Sequence, residues 1–279
     1  MAAPYPTKPA VTEDALWAEI CVVAHGGDGT GLLVREGSGW RLSVDVTPSL
    51  KAMADLFLPL LVAPPADRPL VFAHLAQTLD GRIAREDGES HWITGDQDLD
   101  HTHRLRAISD AVLVGAETVF HDDCRLTVRR CSGPQPVRVI LDPSGRVPTS
   151  RKVFSDGAAP TLWICAEGAQ GCSPAGVDCV QLPVQAGAFA TNDVLTVLQS
   201  RGLHRVFVEG GGRTVGHLLK ADVVDRLHLA VAPMLMGEGR NTLGIALADG
   251  LASCPRPQVT VYPLGSDWIF DCDFRGESQ

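Results

Sequence analysis

From residue 69 onward, short apolar runs alternate with stretches in which apolar residues recur at helical spacing. The runs are rich in β-branched and aromatic residues and predict strands at 70–76, 111–115, 137–141, 161–165, 206–208, 226–232, 259–262 and 268–274. Helices are predicted at 96–106, 116–120 and 191–201, and directly after the glycines at 210–212. This alternation indicates an α/β fold with a mostly parallel central sheet and helices on both faces. The short turn between the last two strands indicates an antiparallel C-terminal edge.

The first 67 residues have a different pattern and are expected to form a separate α+β piece. Apolar spacing predicts helices over 12–20 and 49–61, on either side of two short strands at 32–34 and 40–46. The proline-rich stretch 64–69 is expected to be a linker. The expected organisation is an N-terminal extension of unknown role at 1–67 and a main domain at 68–279.

The composition narrows the classes of function. A net charge of −9 over 279 residues argues against nucleic-acid binding. The N-terminus has no pattern of a secretion signal, and no apolar run is long enough to cross a bilayer, so a cytoplasmic protein is expected. The eight cysteines form no C-x-x-C pair and have no histidine at zinc-finger spacing, so neither a metal site nor a disulfide framework is expected.

The most distinctive local pattern follows the strand at 206–208. Glu209 ends the strand, glycines occupy 210–212, and a helix begins near Arg213 or Thr214. A helix N-terminus after a glycine turn presents unpaired amides and a partial positive charge, which suits a phosphate. The alternative is a tight turn in which glycine only solves a steric problem, and we favour anion binding over it. The pattern matches neither a Walker A loop nor the G-x-G-x-x-G dinucleotide fingerprint.

Polar or glycine-rich clusters follow several of the predicted strands. They lie at 77–82, 115–118, 142–146 and 209–214. In open α/β sheets, ligands bind beyond the carboxyl ends of the strands. A binding site is therefore expected at this edge of the sheet.

Several motifs occur in a fixed order along the chain. They are TLDGRIA (78–84), GESHWIT (88–94), LRA (105–107), VGAET (114–118), DDCRLTVR (122–129), VILD (139–142), VEGG (208–211) and APMLMG (232–237). This ordered set resembles the reductase domain of the bacterial bifunctional riboflavin-biosynthesis deaminase/reductase, over about residues 69–275. The resemblance implies a dihydrofolate-reductase-like fold, a homodimer and NADPH as cofactor. It also implies an oxidoreductase that reduces the ribosyl group of a phosphorylated 5-amino-6-ribosylaminouracil to ribityl.

The resemblance also assigns residues to the two ligands. It implies substrate contacts at Ser90, Arg106, Leu126, Arg129 and Glu209. It implies cofactor contacts at Gln77, Trp92, Thr118, Asp122, Pro143, Gly211, Gly212, Arg213, Thr214, Val215 and Gly216. Ser144 and Arg146 are candidates for contacting the 2′-phosphate of NADPH.

The residue types support part of this assignment. Arg106 and Arg129 are suited to a substrate phosphate, because a guanidinium forms paired charge-assisted hydrogen bonds. Trp92 could stack on a flat ring, although from the sequence alone we expect such a residue to fill a core. The proton for the reduction has three candidate donors in the chain, Asp122, Glu209 and His74, and water is an equal alternative.

Three departures from the family pattern keep other functions open. His74 stands where the family commonly has Lys, so its positive charge depends on protonation. Cys124 replaces a proline after two aspartates, which is expected to loosen a rigid turn. The zinc-deaminase signature is missing, so the chain is expected to be a stand-alone reductase domain. The alternatives are a reductase of another pyrimidine or pteridine-like substrate and a non-catalytic nucleotide-binding module.

Overall fold

The computed structural model describes residues 11–169 and 174–276, which group into two compact units that divide between Ala63 and Pro64. The elements of the first unit are α1 (Glu13–Ala24), β1 (Leu33–Glu36), β2 (Gly39–Leu42) and α2 (Pro48–Phe57). Strands β1 and β2 form an antiparallel hairpin. The carboxylate of Glu19 is buried and accepts hydrogen bonds from the amides of residues 31–33 at 2.9–3.1 Å, which fixes the entry to that hairpin.

The second unit contains the remaining elements. Its strands are β3 (Leu70–Thr78), β4 (Arg82–Ala84), β5 (Ala111–Gly115), β6 (Val137–Asp142), β7 (Thr161–Ala166), β8 (Val177–Leu182), β9 (Val184–Gln185), β10 (Ala188–Phe189), β11 (Arg205–Glu209), β12 (Arg226–Ala232), β13 (Arg240–Asn241), β14 (Gln258–Leu264) and β15 (Asp267–Asp273). Its helices are α3 (Asp96–Ala107), α4 (Ala116–Asp122), α5 (Lys152–Ser155), α6 (Thr191–Ser200) and α7 (Gly212–Lys220).

A nine-stranded sheet organises this unit, in the order β14-β15-β12-β3-β11-β5-β6-β7-β8. The strands from β12 to β8 pair in parallel, whereas β15 and β14 add an antiparallel edge. The predicted α/β architecture and its antiparallel C-terminal edge are confirmed. Strand β8 was not predicted. In the part of the chain that the structure describes, β8 pairs with β7 alone, and its side chains are half-buried or exposed, so its sequence lacks the apolar run of the central strands.

The alternation of side chains along β3 explains the two faces of the sheet. Val71, Ala73 and Leu75 pack into the core that α6 and α7 cover. Phe72 and His74 point to the opposite face, where the Phe72 ring stacks on Phe207 with 5.5 Å between centroids. On the same face, His74 contacts Asp98 of α3 at 3.1 Å. No helix among the described residues is long and apolar enough to span a bilayer.

Candidate functional site at the carboxyl edge of the sheet

Four neighbouring strands bring the predicted polar clusters together. β3, β11, β5 and β6 are consecutive in the sheet and parallel, so their carboxyl ends meet at one edge. The loops that follow them contain the clusters at 77–82, 209–214, 115–118 and 142–146. These segments are far apart in the sequence, and the order of strands in the sheet brings them together. They therefore form a single candidate site.

The centre of the site is an ion pair between α3 and the end of β11. Arg106 Nε and Nη2 donate to the two carboxylate oxygens of Glu209 at 2.6 and 2.5 Å, and Nη1 donates to the carbonyl of Thr127 at 2.8 Å. Burial opposes the charge on Arg106, but Glu209 offsets this effect and raises the pKa of Arg106. The sequence analysis expected each of these two side chains to face the substrate, whereas most donors of Arg106 are already engaged within the chain. Arg106 therefore orients Glu209 and the segment around Thr127.

A basic group of side chains lies beside this pair. Arg129 is exposed, and its Nη1 donates to Thr127 Oγ1 at 2.7 Å. Desolvation and the nearby charges of Arg106 and Arg125 lower the pKa of Arg129, which identifies a local excess of positive charge. The sequence analysis missed Arg125, because its position in the DDCRLTVR motif is not one that the resemblance assigns. Of the two arginines expected to bind a phosphate, Arg129 has the more accessible guanidinium.

His103 of α3 fixes the position of this basic segment. Its Nδ1 accepts hydrogen bonds from the amides of Arg129 and Arg130 at 2.8 and 3.2 Å. Desolvation and the charge of Arg106 lower the pKa of His103 to about 4, so its ring stays neutral and able to accept. No sequence pattern indicates this role, since only the folded chain brings His103 to residues 129–130.

Asp122 and Cys124 lie within electrostatic range of the Glu209 carboxylate. Displacement of water by the surrounding protein raises the pKa of Asp122, and the negative charge of Glu209 adds to this effect. Desolvation and the same carboxylates raise the pKa of the Cys124 thiol to about 12, so Cys124 is a neutral thiol and not a nucleophile. The expected loosening of the turn is offset by Asp123, whose carboxylate accepts from the Lys152 amide and pairs with its Nζ, both at 2.9 Å.

Three non-glycine residues in these loops have a left-handed backbone. Trp92, Asp123 and Leu126 have φ of 68°, 43° and 56°. Such conformations cost free energy and cluster at functional sites. The expectation that Trp92 fills a core is wrong, because it is 81% exposed and its ring is accessible for stacking. The Leu126 side chain is buried, so only its backbone can face a substrate.

The glycine corner after β11 forms the start of α7, as predicted. Gly211 is the residue before the helix, and neither α7 nor α4 has a side-chain cap. The two helix starts are adjacent, because a Cβ on Gly211 would lie 3.1 Å from Thr118 Oγ1 and one on Gly115 would lie 2.6 Å from Thr214 Oγ1. Within residues 11–169 and 174–276, the amides of residues 211–214 have no acceptor. These amides are suited to an anion.

Backbone conformation and close contacts within the chain explain why glycine occupies these positions. Gly210 and Gly211 have φ of 69° and 71°, which favours glycine. A Cβ on Gly212 would lie 1.8 Å from the carbonyl oxygen of Thr242, so close approach by the chain itself excludes a side chain there. Gly216 packs in the same way against residues 243–245, and Val215 is fully buried. The side-chain positions of Val215 and Gly216 therefore pack within the chain, and the predicted cofactor contacts of these two residues stay a prediction for their backbone.

The loop after β3 is fastened to two other segments. Asp80 accepts from Thr78 Oγ1 at 2.5 Å and from the Gly237 amide at 2.6 Å, and these hydrogen bonds lower the pKa of Asp80 to about 2. Gln77 Oε1 accepts from Thr242 Oγ1 at 2.6 Å. Gln77 Oε1 thus contacts the segment that also covers Gly212, and the cofactor contact expected for Gln77 stays a prediction.

The remaining predicted residues lie at the ends of the site. Pro143 belongs to the turn after β6, where the buried Asp142 accepts from Ser144 Oγ at 2.8 Å and from the Val147 amide at 2.9 Å. The side chain of Arg146 is 77% exposed and approaches Glu117 only to 4.0 Å. Ser90 is half-buried in the loop between β4 and α3. Among the described residues, no group of three or more His, Cys, Asp or Glu could hold a metal ion.

The fold and the site together define a class of protein. It is an α/β protein whose candidate ligand site lies at the carboxyl edge of a parallel sheet, with a basic end near Arg129 and an anion-suited helix start at Gly211. The sequence profile of the RibD C-terminal domain family matches residues 69–248. The chain belongs to this family, and the fold expected from the resemblance is confirmed.

Relatives and solved structures agree with this membership. The riboflavin biosynthesis protein RibD of Aquifex aeolicus is 40% identical over 204 residues, which are 73% of this chain and 57% of the relative. The 2,5-diamino-6-ribosylamino-4(3H)-pyrimidinone 5′-phosphate reductase of Methanothermobacter thermautotrophicus is 34% identical over 221 residues, 75% of this chain and 100% of the relative. The deaminase/5-amino-6-(5-phosphoribosylamino)uracil reductase of Thermotoga maritima superimposes with a TM-score of 0.66 at 29% identity, over 81% of this chain and 61% of that one. The chain thus spans little more than half the length of the bifunctional relatives.

Proposed function

We propose that this protein is an NADPH-dependent oxidoreductase of riboflavin biosynthesis. Its proposed reaction reduces the ribosyl group of 5-amino-6-(5-phosphoribosylamino)uracil to a ribityl chain. The observation that carries the proposal is the site itself, in which a basic end, a buried Glu209–Arg106 pair and an anion-suited helix start meet at one sheet edge. The reductase names of relatives that match this part of the chain support it.

The basic end is the proposed site for the substrate phosphate. Arg129 provides an exposed guanidinium, and the neighbouring charges of Arg106 and Arg125 add to the positive potential. The Glu209 carboxylate, held by Arg106, is placed to accept hydrogen bonds from the pyrimidine or sugar. Ser90 and the backbone at Leu126 complete the proposed substrate contacts.

The helix starts of α7 and α4 fit a nicotinamide dinucleotide. Residues 211–214 offer unpaired amides for its diphosphate, with Thr118 beside them. The exposed ring of Trp92 is available for stacking. Pro143 and Arg146 form the proposed adenosine end, where the exposed guanidinium of Arg146 favours a 2′-phosphate. When bound, the cofactor supplies a hydride.

Asp122 is the proposed proton donor. Its raised pKa lets it hold a proton at a higher pH than an ordinary carboxyl group. Glu209 is less suited, because its two oxygens accept hydrogen bonds from Arg106. His74 is buried beneath the site and does not reach its surface.

A second substrate is favoured by one observation. The Methanothermobacter relative, which this chain matches over that protein's full length, is named for 2,5-diamino-6-ribosylamino-4(3H)-pyrimidinone 5′-phosphate. Both compounds are phosphorylated ribosylaminopyrimidines, so the same basic end would serve either one. They differ in the ring, which the Glu209 side of the site is expected to distinguish.

The two candidates are separated by measuring NADPH consumption with each pyrimidine phosphate, and with NADH in place of NADPH. The proposal predicts turnover of the uracil compound that depends on Arg129. Arg129→Ala should raise KM about tenfold to a hundredfold, because a charge-assisted hydrogen bond contributes about 1.5–3 kcal/mol. The dephosphorylated nucleoside should be insensitive to the change. Equal effects on both compounds would refute the phosphate site, and turnover of the diamino compound alone would select the second substrate.

We also propose a homodimer in the cytoplasm. The antiparallel edge exposes Val259, Val261 and Trp268 by 48%, 43% and 50%, which is apolar area suited to burial against a second copy. No disulfide joins the cysteines of the described residues, as is usual in a reducing compartment. Light scattering after size-exclusion chromatography tests the dimer, and the monomer mass at micromolar concentration would refute it.

A further inference from the structure

Three buried histidines lie in a chain directly beneath the candidate site. They are His74 of β3, His101 of α3 and His228 of β12, each at most 5% exposed. His101 Nε2 and His228 Nδ1 are 2.9 Å apart, and the His74 ring centroid is 5.6 Å from that of His101. Two carboxylates flank the chain: Asp98 contacts His74 at 3.1 Å, and Asp271 contacts His228 at 3.5 Å.

The neighbours of His74 determine how many protons its ring carries. Nδ1 lies 2.9 Å from the carbonyl oxygen of His228, which can only accept a hydrogen bond. Nε2 lies 3.1 Å from Asp98 Oδ1, an ion-pair contact with a group that also accepts. Thr94 Oγ1 donates to the other oxygen of Asp98 at 2.7 Å, which favours the ionised carboxylate. Nε2 and Asp98 Oδ1 have no other hydrogen-bond partner among the described residues. A carbonyl oxygen at Nδ1 and an ionised carboxylate 3.1 Å from Nε2 both favour a ring with two protons, which is an imidazolium.

The other two histidines are neutral for a different reason, which is burial beside other positive groups. His228 Nε2 lies 3.5 Å from Asp271 without a hydrogen bond, and His228 Nδ1 lies 2.9 Å from His101 Nε2, so one of these two rings donates and the other accepts. Burial and the charge of His74 lower the pKa of both rings, and for His101 the shift is large. The guanidinium of Arg226, which donates to both Asp271 oxygens, already balances that carboxylate. The chain of three histidines therefore holds one positive charge, and it is on His74.

This charge acts on the site through Glu209. His74 and Glu209 are direct register partners in the parallel pair β3 and β11, so their side chains leave the same face of the sheet. Burial lowers the pKa of His74, but Asp98 and, at longer range, Glu209 oppose this effect and leave the pKa raised. Coulomb attraction is mutual, so the imidazolium attracts the Glu209 carboxylate from below while Arg106 binds it from the side.

We propose that His74 is a positioning residue, an imidazolium held by Asp98 that fixes the Glu209–Arg106 pair for substrate binding. The proposal that this affects catalysis rests on the reductase function proposed above. The structural part of the proposal, that one of these three buried histidines is charged, does not depend on that function. A charge that comes from an imidazole is lost as the pH rises through its folded pKa, whereas a lysine at the same position would keep it.

The protonation state is tested by nitrogen-15 NMR of the histidine rings in the full chain. We expect one ring to remain an imidazolium well above the ordinary pKa of 6.5, and that signal to be missing in His74→Gln. Asp98→Asn removes the charge but keeps the shape and the Thr94 contact, so it should make His74 neutral at neutral pH. A neutral His74 ring in the wild-type protein at pH 7 would overturn the proposal, whatever the enzyme activity.

The positioning role is tested by the pH dependence of kcat/KM for reduction of the pyrimidine phosphate. We expect the wild-type value to fall about tenfold per pH unit above the His74 pKa that NMR measures. His74→Lys should remove this fall, and Asp98→Asn should move it to lower pH. A wild-type pH profile in His74→Gln would overturn the positioning role. An inactive wild-type protein would refute the proposed reductase function alone, because the NMR result stands independently.

Discussion

Replacing Glu209 by Gln tests the buried ion pair at the centre of the site. The change keeps the size of the side chain but removes the charge that faces Arg106, whose side chain is only 9% exposed. Removing one partner of a buried pair costs about 3–5 kcal/mol, because the other charge is left uncompensated. Gln keeps one acceptor for the two Arg106 donors at 2.5 and 2.6 Å, so we expect about 3 kcal/mol, the lower end of that range.

The assay is urea unfolding of the full chain followed by circular dichroism. The matched control is Glu89→Gln, whose carboxylate is 68% exposed and lies 3.6 Å from Arg85, and which should change the free energy of unfolding by less than about 0.5 kcal/mol. The double variant Arg106→Met with Glu209→Met has no buried charge and should be more stable than Glu209→Gln. A Glu209→Gln protein within about 1 kcal/mol of the wild type would refute the reasoning, since the pair would then be solvated.

Two further predictions concern the loops around the site. Gly212→Ala places a Cβ 1.8 Å from the Thr242 carbonyl oxygen and should lower the free energy of unfolding by about 1–3 kcal/mol. The control is Gly250→Ala, whose Cβ would have nothing within 4 Å and which should leave the free energy of unfolding nearly unchanged. Equal effects of the two changes would contradict the close approach at Gly212. Because the folded pKa of Asp80 is lowered from 3.8 to about 2, its contribution is present above the unfolded value and lost as pH falls through the folded one. Hydrogen exchange should therefore find the Gly237 amide protected down to pH about 4 and exposed toward pH 2. In Asp80→Ala, which has no acceptor, this amide should be unprotected throughout; loss of protection near pH 5 in the wild type would contradict this.

The sequence predicted the architecture because the sheet depends on local patterns. The apolar runs at 70–76, 111–115 and 206–208 are long enough to specify buried strands, and each matches a central strand of the sheet. Strand β8 was missed because an edge strand needs less apolar surface. The order of strands, which brings four polar clusters together, was expected only from the general rule for parallel sheets.

The internal contacts of the site could not be predicted in the same way. Arg106 and Glu209 are 103 positions apart, and each alone resembles a residue that faces a ligand. The glycine at 212 is explained by a carbonyl 30 positions later in the chain, which no local pattern indicates. Trp92 was expected in a core from its residue type, but its left-handed backbone in a loop exposes the ring. These are effects of packing between distant segments, so they required the folded chain.

The most direct test of the proposed reaction is mass spectrometry of the product formed with NADPH that carries deuterium at the transferable position. The account predicts that 5-amino-6-(5-phosphoribosylamino)uracil gains two hydrogens, that one of them is the label, and that the label lies in the ribityl chain. Substrate recovered unchanged with unconsumed NADPH would contradict the account, and so would a product with the label in the pyrimidine ring.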